Sequence, residues 1–152
     1  MRVLDVARGY LAVREAPRGS NRSPEIDRWL RAVGAPLASP WCAAFVYDCL
    51  IEAGLTPPKK SGRVQDWVDA TAEPNRRPAA EAVAGDVLVF YFRSLKRYAH
   101  IGLVTGRDAG AITTIEGNTI ATDDKGDSRA GYGVFEHRFL PSPNLLVLRL
   151  AA

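Results

Sequence analysis

The sequence predicts an α+β domain, with helices in its first half and an antiparallel sheet in its second. Two observations carry this. Apolar residues recur at helical spacing up to about residue 70, then give way to short β-type runs from residue 86 onward. The links between those runs are short and turn-like, which suits hairpins rather than helical crossovers. A chain of 152 residues is long enough for one domain with a sizeable core and too short for two, so residues 1–152 are expected to form a single unit.

Each element has a local reason. Val3, Val6, Ala7, Tyr10 and Leu11 share a helical face and predict a first helix over residues 3–15. A turn at Pro17-Arg18-Gly19 follows. Ser23 is a helix cap before Pro24, and Ile26, Trp29, Leu30 and Val33 form the buried face of a second helix that Gly34 ends. Ser39 and Pro40 repeat that cap-and-proline start and predict a third helix over 39–53, closed by Gly54. Val64, Trp67, Val68 and Ala70 suggest a short fourth. The segment 73–84, rich in proline and arginine, reads as a connection. Strands are expected over 86–92, 100–105, 111–118, 133–139 and 145–150, as a meander of about five.

The bulk numbers exclude several classes. With 47% hydrophobic and 24% charged residues, the composition is that of an ordinary globular domain. No apolar run approaches the roughly 20 residues of a membrane span, so membrane insertion is not expected. Residues 1–8 lack a signal peptide's uninterrupted apolar stretch, so synthesis in the cytoplasm is expected. The net charge of +3 suits an anionic polymer, yet no basic cluster alternates with aromatics, and nucleic acid is not an expected partner. Cys42 and Cys49 stand seven residues apart, about 10 Å along a helix. A disulfide needs Cα atoms within about 7 Å, so reduced thiols are expected.

Three sets of residues carry chemistry. Cys42 lies in the first turn of the predicted third helix, near its third position, where N–H groups lack partners and a thiol ionises more easily than the roughly 8.5 of a free cysteine. His100, at the start of a strand, is the candidate base. Glu116 and Asn118 end the next strand, and alternation places both on one face. A hairpin between the two strands brings His100 beside them. Sulfur, imidazole and carboxylate in that order suit acyl transfer: the thiolate attacks an amide, His100 protonates the leaving amine, and Glu116 fixes the imidazole. Asn118 either orients His100 in its place or positions a polar substrate. Trp41, Trp67 and Tyr98 neighbour these segments and are candidate substrate-binding aromatics, with core packing as their competing role. Cys49 reads as core and His137 as surface.

Trp41-Cys42-Ala43-Ala44-Phe45-Val46, Gly85-Asp86-Val87-Leu88-Val89-Phe90, His100-Ile101-Gly102-Leu103-Val104 and Glu116-Gly117-Asn118 follow one another in an order that resembles the CHAP family of amidohydrolases and peptidases, within the papain-like and NlpC/P60 group. The resemblance implies a papain-like fold over residues 20–150. It implies a cell-wall hydrolase, an amidase or an endopeptidase, acting on the stem or bridge peptide of peptidoglycan. Cys42 would be the nucleophile, His100 the base, and Glu116 with Asn118 the rest of the site. A monomer is expected, reaching the wall after lysis or through a secretion apparatus. The alternatives are a protease, deamidase or acyltransferase with a non-wall substrate, or an inactive module that binds wall peptides.

No cofactor or metal is expected. Some members of that family bind calcium, but the acidic stretch 123–127 fails EF-hand spacing: with Gly126 at loop position 6, positions 1 and 12 are Ala121 and Tyr132. It reads as a hairpin loop. Cys42, Cys49, His100 and His137 do not suit zinc either, because ligands two helical turns apart cannot both reach one ion.

Overall fold

The computed structural model describes residues 1–122 and 131–150. Four helices, α1 (Arg2–Gly9), α2 (Pro24–Ala32), α3 (Cys42–Glu52) and α4 (Val64–Ala70), precede the sheet. Its strands are β1 (Arg76–Pro78), β2 (Val87–Phe92), β3 (Arg97–Asp108), β4 (Ala111–Thr119), β5 (Gly133–Phe139) and β6 (Leu145–Leu148). They lie in the order β1-β6-β2-β3-β4-β5, all antiparallel. This is the α+β class expected. The acidic stretch 123–127 lies outside the described residues.

α3 is the central helix. α1 and α2 pack on it from outside, while it packs on β3 and β4. That position explains its composition: Cys42, Ala43, Ala44, Phe45, Val46, Cys49 and Leu50 are all buried, and only Tyr47, Asp48, Ile51 and Glu52 leave a partly open face in the later turns. Trp29, Trp41 and Phe45 are fully buried at the junction, with ring centroids 5.3–5.8 Å from Trp29. Each such side chain contributes about 1.5–3 kcal/mol by leaving water. The other face of the sheet buries a smaller cluster, including Leu88, Phe90, Val104 and Ile112, beneath Ala79 and Ala82.

Four features differ from the sequence reading. α1 ends at Gly9 rather than 15, because residues 13–15 leave the helix to bond with the start of β5: the Val134 N–H donates to Val13, and the Glu15 N–H to Tyr132. α3 begins at Cys42, not 39. The Ser39 hydroxyl donates to the Pro36 carbonyl at 2.6 Å instead of capping the helix, and Trp41 is the N-cap. The connection 73–84 contains β1, an edge strand ending in Pro78, where a missing N–H does no harm. Finally, β6 does not extend the meander beyond β5. It crosses to the far side and pairs with β2. Elsewhere local signals held: the Ser23 hydroxyl accepts from the Ile26 N–H at 3.1 Å, and Gly34 and Gly54 follow α2 and α3 with φ of 72° and 76°.

The closeness of α3 to β4 depends on one residue. A Cβ on Gly117 would lie 2.8 Å from both the Phe45 Cβ and the Trp41 ring. Gly117→Ala is therefore expected to force the helix off the sheet and cost about 1–3 kcal/mol. Urea denaturation measures this, and an unchanged midpoint would contradict the packing.

Candidate active site

Cys42 is the first residue of α3, not the third. The Phe45 N–H closes the first helical bond on the Trp41 carbonyl, so the N–H groups of residues 42–44 have no partner within the helix. The thiol is largely covered, 6% of the residue being exposed, but it forms part of the wall of a cavity of about 500 Å³. His100 and Asn118 line the same cavity.

His100 stands on β3 opposite Phe90, with ring centroids 5.2 Å apart. Its Nε2 meets Glu116 Oε1 at 2.7 Å, and both side chains are almost wholly buried. That bond leaves Nδ1 as the ring nitrogen to serve the sulfur. Burial by itself pushes the imidazole down. The hydrogen bonding and charge of Cys42 and Glu116 outweigh it and raise His100 from 6.5 to about 10. The protonated ring between two potential anions is thus the favoured state.

Glu116 reaches His100 across Gly102, where a Cβ would fall 2.5 Å from the Glu116 Cγ. Its second oxygen, Oε2, accepts from the Thr114 hydroxyl at 2.5 Å. A buried carboxylate needs such partners. Gly102 and Thr114 were not singled out in the sequence. Thr114 had a signal, since it precedes Glu116 by two positions and so shares its face. Gly102 had none beyond its place two residues after His100 on the same strand.

Asn118 has a different task from Glu116. The β4–β5 ladder slips between Glu116 and Thr119, and Asn118 takes φ 55°, a left-handed conformation that asparagine tolerates better than most residues. Simple alternation therefore fails at this point. The Asn118 Oδ1 accepts from the Trp41 N–H at 2.7 Å and its Nδ2 donates to the Gly131 carbonyl at 3.1 Å. Glu116, rather than Asn118, is the residue bonded to His100.

The three aromatics do not form a groove. Trp41 is fully buried, and its indole donates to Glu15 Oε2 at 2.8 Å. Trp67 is also fully buried, its indole bonded to the Ser61 carbonyl at 2.9 Å. Core packing has claimed both, so neither side chain is free to touch a substrate. Tyr98 packs edge-on to Tyr91, 5.2 Å between centroids, and the cavity wall passes instead through its neighbours Arg97 and Ala99. Cys49 is buried two turns along α3. Burial, with the charges of Asp48 and Glu52, pushes its thiol well up. His137 meets Thr119 at 3.1 Å, away from the cavity. Among the described residues no group of three or more His, Cys, Asp or Glu could hold a metal.

A helical layer packed on an antiparallel sheet, with a cysteine of the central helix and a bonded histidine–carboxylate pair of the sheet at one cavity, defines the α+β domain. The profile of the CHAP domain matches residues 34–118, more than half of the chain, and the protein belongs to the CHAP domain family. Among solved structures, the chain is similar to the endolysin LysIME-EF1, with TM-score 0.56 and 16% identity over 99% of this chain and 65% of that one. At that identity the likeness concerns the fold, and the chain spans a little under two thirds of the endolysin's length. An N-acetylmuramoyl-L-alanine amidase from Staphylococcus aureus overlaps with TM-score 0.49 and 14% identity, over 86% of this chain and 41% of that one. No curated protein matches the chain.

Two outcomes follow from the electrostatics. Because the folded state holds the His100 proton more tightly, this group's stabilising contribution is complete below about pH 6.5 and falls away as pH rises toward about 10. Thermal melts of wild type and His100→Gln are expected to converge across that range, and a constant gap would contradict the assignment. Iodoacetamide is expected to label Cys42 in the folded protein and Cys49 only after unfolding, as read by peptide mass spectrometry.

Proposed function

We propose that this domain is a peptidoglycan hydrolase that cleaves an amide bond of the wall through a thioester on Cys42. The observation that carries the reading is the cavity in which Cys42 and His100 meet, with Glu116 bonded behind the imidazole. Membership of the CHAP family supports the substrate class, and so does the fold shared with a protein named an endolysin. Cleavage falls between sugar and stem peptide, as in an amidase, or within the peptide, as in an endopeptidase.

The chemistry follows from the geometry. With its proton already resting on His100, the sulfur attacks the amide carbonyl to give a tetrahedral intermediate. The Cys42 N–H at the head of α3 is placed to stabilise the oxyanion. His100 then protonates the departing amine, the C–N bond breaks, and a thioester remains. A water gives a proton to His100 as it attacks the thioester. The acid leaves, and the free sulfur beside a protonated His100 returns. Glu116 keeps the ring oriented and balances its charge in both steps. Asn118 is a positioning residue that holds the head of α3, and so the sulfur, against the end of β4. The enzyme acts at the cell wall as a single catalytic unit.

Zymography on purified cell walls tests this. Cys42→Ala and His100→Ala are expected to lose at least about 10³-fold in rate, and Glu116→Gln about 10²–10⁴-fold. Cys49→Ala should retain clearing. Equal clearing by Cys42→Ala and wild type would end the thiol mechanism. Mass spectrometry of the released fragments then distinguishes amidase from endopeptidase.

A further inference from the structure

The acidic and basic residues that line the cavity beside Cys42 are of one sign only. Three cationic side chains line it: Lys60 and Arg63 from the segment between α3 and α4, and Arg97 from the start of β3. No aspartate or glutamate is among its lining residues. Arg63 is balanced, since its guanidinium meets Asp66 at 2.9 Å. Lys60 and Arg97 form no ion pair among the described residues. Two uncompensated cations thus face a concave, partly apolar wall, where low-dielectric surroundings concentrate their field. His100 adds to it whenever its ring is protonated.

We propose that Lys60 and Arg97 select a peptide bearing a free carboxylate next to the amide that Cys42 attacks. The peptide identity rests on the hydrolase reading above. The preference for an anion does not. The two cations lie on separate segments that meet at the cavity, so a carboxylate held between them fixes the peptide relative to the sulfur. A carboxamide at the same place would offer one acceptor and no charge. A volume of about 500 Å³ accommodates a few residues of an extended peptide rather than a folded surface. The sign of the charge decides which peptides enter, and Leu95 on the rim gives an apolar contact for an adjoining side chain.

The test has two arms, both comparing wild type with the double variant Lys60→Met, Arg97→Gln. Lys60 is exposed and Arg97 half-buried, so the fold should survive, which circular dichroism checks. In the first arm, Cys42 is alkylated with anionic iodoacetate and with neutral iodoacetamide at low salt. The ratio of the two rates is expected to fall roughly tenfold in the variant, and an unchanged ratio would overturn the proposal. In the second arm, wall peptides carrying either a carboxylate or a carboxamide beside the scissile bond are compared by kcat/KM. Wild type is expected to favour the carboxylate roughly tenfold, and the variant to discriminate little. Equal cleavage of both by wild type would overturn the carboxylate preference. Should neither peptide be cleaved while the alkylation ratio falls, the hydrolase reading fails and the anion-selective cavity stands.

Discussion

The hydrogen bond from the Trp41 N–H to the Asn118 side chain joins the two halves of this chain at the place where the chemistry needs them joined. Trp41 precedes the cysteine and Asn118 follows the acid by two positions. Cys42 is one position from that bond and Glu116 two, and His100 is bonded to Glu116. It does the work that a local cap does in most helices: it satisfies a backbone donor at the helix start. Here the acceptor comes from a strand 77 positions away in sequence. A local serine would have capped the helix equally well, but it could not have told the helix where the sheet is. Using Asn118 makes the position of the sulfur a property of the tertiary fold.

Two glycines make that arrangement possible, Gly117 on β4 and Gly102 on β3. Gly117 lets Phe45 and Trp41 come down onto the strand, which lowers the helix head toward the sheet. Gly102 leaves room for the Glu116 side chain to cross β3's surface and meet the ring. Each is an absence that lets a functional side chain arrive. Filling either would displace a reactive group by a fraction of an ångström to an ångström, the scale on which reactive geometry is lost. The buried carboxylate then imposes its own order. Glu116 has His100 on one oxygen and Thr114 on the other, so losing either partner would strand a buried polar group. The same bonds that orient the base also keep the interior satisfied.

The class of the fold and the core of the site were legible because they rest on local signals. Helical and strand periods separate cleanly at the middle of the chain, Ser23 caps where a serine before proline should, and the hairpin of β3 and β4 brings Glu116 to His100. What was not legible depends on long-range contacts. Ser39 looked like a cap but its hydroxyl serves Pro36, and only the sheet could reveal that Asn118 replaces it. Asn118 itself broke the alternation because its left-handed backbone is a response to the irregular ladder. Trp41 and Trp67 were candidates for substrate contact by proximity in sequence, yet a large apolar ring next to a nucleophile also suits the core that holds the nucleophile still. β6 returned to the far side of the sheet, where it lies between β2 and the edge strand β1, which no local pattern in Leu145–Leu148 encodes.

The two cysteines show how completely position decides chemistry. They share a helix, a redox state and near-complete burial. Cys49 lies mid-helix with its backbone N–H already committed to the helix, walled by apolar side chains, next to Asp48 and one turn from Glu52. Burial and the two carboxylates disfavour a negative sulfur and outweigh the bond from its own backbone. Cys42 lies at the helix end whose N–H groups are free, beside an imidazole that binds its proton strongly and opens onto a cavity lined by cations. A charge on the first sulfur would be surrounded by nothing that answers it. A charge on the second is met by the helix start, the ring and the cavity wall together. On the proposed reading, what separates the two cysteines is therefore their position along one helix and not the thiol itself.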